Sequence, residues 1–199
     1  MDHLLECAEA FEQLLDVQYH IVLGRKNRLT ELTLRFDPTE FHHLVGLHKL
    51  RDLRLARGNR EKIFHQILSK TICMEDIKKS RYFPEIQDRM CFFDKIEYLL
   101  DSNKTIFRYN EKLQTFSMIE AEYLLSTPYK EMDIYIFLDR NIEQGHFFCR
   151  SFFQKGEKDY TKGQAVYTLL KKEITIVSTG KTVVQYDRLM LRCWGQKVF

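Results

Sequence analysis

The hydrophobic period of this chain changes at Asp101-Ser102-Asn103, and that change limits what it can fold into. Ahead of that point, with one hairpin interposed, apolar residues recur at helical spacing. Beyond it they alternate or run on as strands. Residues 2–16 carry Leu4, Leu5, Ala8, Phe11, Leu14 and Leu15 on helical spacing. Residues 19–24 and 29–36 read as two strands joined by a turn over 24–28. A helix is expected over 38–55. After a break at Gly58-Asn59, helices are expected over 60–69, 74–80 and 84–100. Strands follow over 105–109, 133–138, 146–152, 164–177 and 182–185, and a short helix over 186–193 closes the chain. Helices, a hairpin and then antiparallel strands make an α+β fold, with helices packed on one face of a twisted antiparallel sheet. The other face is then free as a concave, polar working surface. A single domain over 1–199, with a helical insertion at about 59–101, suits the length.

Composition narrows the function classes. An apolar content of 44%, with three prolines and eight glycines, excludes a disordered or linker-rich chain. The net charge of +3 does not by itself demand a nucleic-acid partner. Its distribution says more: residues 145–199 hold ten Lys and Arg against four acids, and Arg25, Lys26, Arg28 and Arg35 stand against Glu31 alone. Two readings stay open, a basic sheet face or ordinary solvated strand faces. The five cysteines are scattered, without CxxC spacing, which predicts reduced thiols in a cytoplasmic protein. The N-terminal residues include acids and no apolar h-region, so no signal peptide is expected, and no apolar run is long enough to span a membrane. HExxH, paired cysteines, acidic clusters, a Walker loop, GxGxxG and a serine-hydrolase elbow are all missing from the sequence. No metal and no cofactor is therefore expected.

The densest chemistry sits in residues 36–52, FDPTEFHHLVGLHKLRD. Asp37 reads as N-cap, Pro38 as first helical residue and Glu40 as the third, an Asp variant of the capping box. On a continuous helix Phe41, Leu44, Val45 and His48 share one face, His43 flanks it, and His42 and Lys49 lie in a more open sector. Gly46 inside such a helix costs about 1 kcal/mol and often permits a close approach. Histidine titrates near neutral pH and cations stabilise phosphate. The group is thus a candidate for chemistry on a phosphodiester.

Together with Cys149-Arg150-Ser151-Phe152-Phe153, Asp159-Tyr160-Thr161-Lys162-Gly163-Gln164 and Val184-Gln185-Tyr186-Asp187-Arg188-Leu189, this motif resembles the phage-associated Barnase/EndoU/colicin/RelE-like nucleases, the fourth such family in particular. The resemblance runs from about residue 19 to 189. It implies a small metal-independent ribonuclease on an α+β scaffold, in a phage, mobile-element or toxin setting.

Such chemistry needs a base for the 2′-OH, a cation for the phosphorane and an acid for the departing 5′-oxygen. From the residues themselves, His43 and His48 are candidates for base or acid, Arg150 for the cation, and Ser151 for a hydroxyl beside it. His42, Lys49, Arg51, Tyr160, Thr161, Lys162 and Tyr167 are candidates for holding phosphate or a stacked base. Each has a plainer reading. His48 is as well explained as a core histidine, His42 as surface, Arg51 as an ion-pair partner, and the 159–163 run as a turn. Arg150 falls on the face of Phe148 and Phe152 if its strand is regular. The expected partners are RNA (tRNA or mRNA) and an antitoxin, immunity protein or host nucleoprotein, with no membrane. Two other classes stay open: a phage inhibitor that binds nucleic acid or protein without turnover, and an ADP-ribosyltransferase-like enzyme.

Overall fold

The computed structural model describes residues 2–189. Helix α1 (His3–Leu14) begins at Asp2, whose carboxylate accepts from the Leu4 and Leu5 N–H groups. It is followed by the hairpin β1 (Val17–Arg25) and β2 (Arg28–Leu34). Then come α2 (Pro38–Leu44), α3 (Arg60–Leu68), α4 (Met74–Lys78), α5 (Pro84–Met90) and α6 (Ile96–Ser102). The strands β3 (Thr105–Arg108), β4 (Tyr123–Tyr129), β5 (Met132–Arg140), β6 (Phe147–Gln154), β7 (Ala165–Ile176) and β8 (Lys181–Asp187) complete the described chain.

The α+β class expected from the sequence is present, but the sheet is not an open one with helices on one side. It runs β1-β2-β6-β5-β4-β3-β7, and β7 returns to pair with β1, closing seven strands into a barrel. Closure is possible because β7 is twelve residues long: residues 165–168 pair with β3, and 168–176 pair with β1. It leaves few open edges to be protected. β8 adds outside the ring on β7. Tyr186 and Asp187 lie in β8, so the short helix expected over 186–193 does not form there, and residues 190–193 fall outside the described residues.

One junction of the ring is nearly unpaired. β2 meets β6 in parallel at the single pair Leu34↔Phe147, with Arg35 N–H donating to the Phe147 carbonyl at 3.0 Å. The rest of that β6 edge is packed by α2 and α5 instead of a strand.

The inward side chains of the barrel, among them Tyr19, Ile21, Leu23, Leu125, Ile136 and Phe152, share one core with Leu4, Phe11, Phe41, Phe64, Phe93 and Leu99 of the helical segments. The Phe11 ring lies within about 6 Å of those of Phe36, Phe41, Phe64 and Phe93. Burying each such ring contributes about 1.5–3 kcal/mol. The outward face of β4–β6 is not the free polar surface expected. Leu124, Tyr135 and Phe137 are buried there beneath the 109–121 segment, with Phe153 and Tyr160 packed against them. β4 has no counterpart in the sequence reading. Leu124 and Leu125 are buried on opposite faces, so the strand shows no alternation.

The basic residues beyond 145 do not make one basic face. Lys171 pairs with Glu173 at 2.6 Å, and Lys155 lies near Asp133 and Asp159. Lys172 is buried, and its ammonium donates to the carbonyls of Leu100, Asp101 and Asn103 at 2.7, 3.0 and 3.0 Å. It satisfies the C-terminal end of α6, where helix carbonyls lack partners.

Candidate active site

The histidine segment is not one helix. α2 starts as its sequence says, with the Asp37 carboxylate accepting from the Thr39 N–H and hydroxyl, and Pro38 at its first position. It ends at Leu44, because Gly46 takes φ +90°, a left-handed conformation that closes helices. Gly46 also packs closely: a Cβ there would meet Ile86 Cγ2 at 2.7 Å. A 3₁₀ turn, Leu47–Lys49, then reverses the chain.

This break brings two histidines together. On a continuous helix five residues turn the side chain by about 140°, which separates His43 from His48. Here their rings stack, with centroids 4.2 Å apart and planes 12° apart. His42 goes the other way. It is buried, not open as expected, and its Nε2–H donates to the Leu55 carbonyl at 2.8 Å, which is a structural role.

The second part comes from β6. Its register against β5 shifts between Leu138↔Cys149 and Phe137↔Ser151, leaving Arg150 as the extra residue of a β-bulge. The bulge lets Cys149 and Phe152 both enter the core although they are three residues apart. It also re-aims the bulged side chain, as bulges beside functional sites do. Arg150 is therefore exposed and does not share a face with Phe152, contrary to the regular-strand expectation.

His43 lies where two clefts meet. One, of about 620 Å³, is formed with Asp37, Glu40, Arg60, Asn141, His146 and Arg150. The other, of about 850 Å³, is formed with His48, Lys49, Arg89, Ser151, Phe153 and Tyr160. Arg89, from α5, sits 5.6 Å over the Phe153 ring.

Burial holds both imidazoles neutral far below their usual range. His43 falls to about 4 through desolvation and then the charges of Arg150, Arg89 and Arg60. His48 falls to about 4 through desolvation and then His43 and Arg89. Glu40 moves the opposite way, to about 9, through burial and the Asp37 charge, while the backbone N–H groups of Asp37 and then Cys149 pull it down. Its Oε2 is buried without a partner among the described residues, as is Nδ1 of His48 and of His146. At neutral pH the clefts therefore hold His43 and His48 unprotonated and Glu40 protonated beside guanidinium cations, with the carboxyl side chains of Asp37, Glu85 and Asp88 also in their lining. Strongly shifted groups gathered in a cleft make it a candidate site.

Of the residues singled out from sequence, His43, His48, Arg150, Ser151, Lys49 and Tyr160 meet around these clefts. The rest do not. Thr161 is held in a turn by Asp159, to which its hydroxyl donates at 2.6 Å. Lys162 is exposed, and its carbonyl accepts from Gln114. Arg51 is exposed, 5.9 Å over Tyr82. Tyr167 lies on β7 beside Tyr123 and Arg25. Arg60, Arg89 and His146 escaped the sequence reading, and Glu40 entered it only as a capping residue. Glu40 carries a signal in hindsight, since it stands three residues before His43 on the same helix face. Arg60 and Arg89 sit on helices distant in sequence and carry none.

Among the described residues, no group of three or more His, Cys, Asp or Glu is placed to hold a metal ion. No helix among them is long and apolar enough to cross a membrane. No curated protein and no solved structure matches the chain. A family model does: the phage-Barnase-EndoU-ColicinE5/D-RelE like nuclease4 model matches residues 3–189, and the chain belongs to that nuclease family.

Proposed function

We propose that the protein is a metal-independent endoribonuclease of phage or mobile-element origin, acting in the cytoplasm as a toxin or effector. The observation that carries this reading is the stacked His43–His48 pair, with Arg150 lining one cleft beside His43 and Arg89 the other. Imidazoles and fixed cations are the parts that cleavage by an internal 2′-hydroxyl needs, and DNA lacks that hydroxyl.

In this scheme the scissile phosphate binds at the junction of the two clefts, against Arg150 and Arg89, with the Ser151 hydroxyl and Lys49 donating to it. His43 takes the 2′-OH proton as the 2′-oxygen forms its bond to phosphorus. The phosphorane's charge is met by the guanidiniums in a partly water-excluded site. As the bond to the 5′-oxygen breaks, Glu40, protonated in the free protein, gives that oxygen its proton. The products are a 2′,3′-cyclic phosphate and a 5′-hydroxyl. His48 backs the His43 ring and fixes its plane, and Tyr160 offers an aromatic wall for a base. tRNA or mRNA is the target class. An antitoxin or immunity protein that covers the clefts is the partner such an activity requires in its own cell.

Purified protein incubated with tRNA and total RNA in EDTA tests this. Fragments ending in 2′,3′-cyclic phosphate, lost in His43→Ala, are the expected result. Intact RNA at high protein concentration would refute it.

A further inference from the structure

A second cluster of cations lies away from the His43 clefts, at one mouth of the barrel. The inward alternation of four strands ends there in arginine. Tyr19, Ile21 and Leu23 lead to Arg25 in β1, and Leu34 and Leu32 lead back to Arg28 in β2. Ile106 leads to Arg108 in β3, and Leu138 to Arg140 in β5. Arg25, Arg28 and Arg140 are exposed. Among the described residues only Arg108 has a carboxylate partner, Glu122 at 2.5 Å. Aromatic rings hold the guanidiniums in place: Arg25 is 5.6 Å from the Tyr167 centroid, Arg108 4.9 Å from Tyr123, and Arg140 5.3 Å from Phe147. The three rings themselves form a chain, Tyr167–Tyr123 at 6.1 Å and Tyr123–Phe147 at 5.6 Å.

The hairpin tip concentrates this charge against its own stability. Arg25 and Arg28 are direct cross-strand partners, a like-charge pairing that disfavours a strand pair. Between them Lys26 and Asn27 both take positive φ, 48° and 61°. Asparagine suits that turn and lysine does not. A cleft of about 820 Å³ at this tip is lined by Arg25, Lys26, Arg28 and Arg188 and by no carboxylate among the described residues. The arrangement is repulsive when empty and relieved by a polyanion.

We propose that this mouth is a second binding site, for the phosphate backbone of a single-stranded RNA segment flanking the cleaved bond. The choice of RNA as ligand rests on the ribonuclease reading above. The placement suits a strand: Arg140 is followed by Asn141, which lines the His43 cleft, so the Arg140 side of this mouth adjoins that cleft. Tyr167, partly exposed beside Arg25, gives a base a ring to stack on.

The test uses the full chain and a fluorescent 20-nucleotide RNA with a 2′-O-methyl backbone, which cannot be cleaved by 2′-OH attack. Anisotropy is read against salt for the wild type, R25Q/R28Q and R25K/R28K. Each phosphate contact contributes about 0.7 to the slope of log affinity on log salt for a single strand. R25Q/R28Q is expected to lower that slope by about 1.4 and to weaken binding at least tenfold at low salt. R25K/R28K is expected to keep the slope. Circular dichroism melting of each variant identifies any that fails to fold, in which case the single variant R28Q is read in its place. Unchanged affinity and slope in folded variants would overturn the proposal. Competition by polyglutamate as effective as by RNA of equal charge would overturn it too, in favour of an acidic protein partner. A second arm compares cleavage of a dinucleotide with that of a 20-mer, and R25Q/R28Q is expected to slow only the longer substrate. Wild-type protein that cleaves neither defeats the ribonuclease reading, while the binding arm still decides this one.

Discussion

Acidification is expected to destabilise the protein through the His43–His48 stack. Both imidazoles bind a proton near 6.5 when unfolded and near 4 in the folded clefts. The folded pKa is the depressed one, so between about pH 4 and 6.5 the unfolded chain holds more protons. The stability these groups contribute is fully present above pH 6.5 and is lost as pH falls towards 4. Integrated from pH 7 to pH 5, one such imidazole removes about 2 kcal/mol of stability. The rings stack at 4.2 Å, so the second proton adds to a site that already holds one, and the pair removes more than one imidazole's worth. Glu40 acts with opposite sign: its folded pKa is raised to about 9, so its contribution is present below pH 4.5 and lost as pH rises. The comparison that isolates the histidines is wild type against H43Q/H48Q, since Glu40 and the surface carboxylates are common to both. Urea unfolding followed by circular dichroism at pH 5, 6 and 7 supplies the numbers. The wild type is expected to lose at least about 2 kcal/mol more than the double variant between pH 7 and pH 5. Parallel stability curves would refute the claim that the fold buries these rings in neutral form.

The remaining expectations concern the elements that build the site. Gly46→Ala forces a left-handed alanine, at a cost of about 1–2 kcal/mol, and drives its Cβ into Ile86; a lowered melting temperature with loss of activity is expected. Lys172→Met leaves the buried carbonyls of Leu100, Asp101 and Asn103 without their donor and is expected to cost about 3 kcal/mol in urea unfolding, with the clefts themselves untouched. Deleting Arg150 leaves Cys149 and Phe152 two residues apart on a regular strand, so both stay in the core; a urea midpoint close to that of Arg150→Ala is expected, and a large loss of stability would contradict the bulge register. In pH–rate profiles the acid limb is expected near 4, not near 6.5, because the base is neutral down to that point in the free protein.

Much of this was legible in the chain because it is local. The Asp37-Pro38 start of α2, the hairpin around residues 25–28 and the long extended run that became β7 are set by caps, turns and period. Ring closure was not, since it depends on β7 serving two partners, β1 and β3, that both lie far before it in the sequence. β4 was hidden because a strand buried on both faces does not alternate. The His43–His48 pair was seen as residues but misplaced in space: periodicity carried the helix through Gly46, where a positive φ stops it. His42, two residues from the stop, then became core, not surface. The Arg150 bulge is a property of pairing between strands, and no single strand encodes it. Arg89 and Arg60 reach the clefts through helix packing, and their positions become readable only once the fold is known.

The central claim is that the His43, His48 and Arg150 group cleaves RNA without a metal. Incubating wild type and Arg150→Ala with tRNA in EDTA, and mapping the ends of every fragment, tests it most directly. The account expects 2′,3′-cyclic phosphate ends from the wild type and at least a hundredfold slower cleavage from a folded Arg150→Ala protein, about 3 kcal/mol of transition-state stabilisation. RNA left intact by the wild type, or cut equally fast by both proteins, would contradict it.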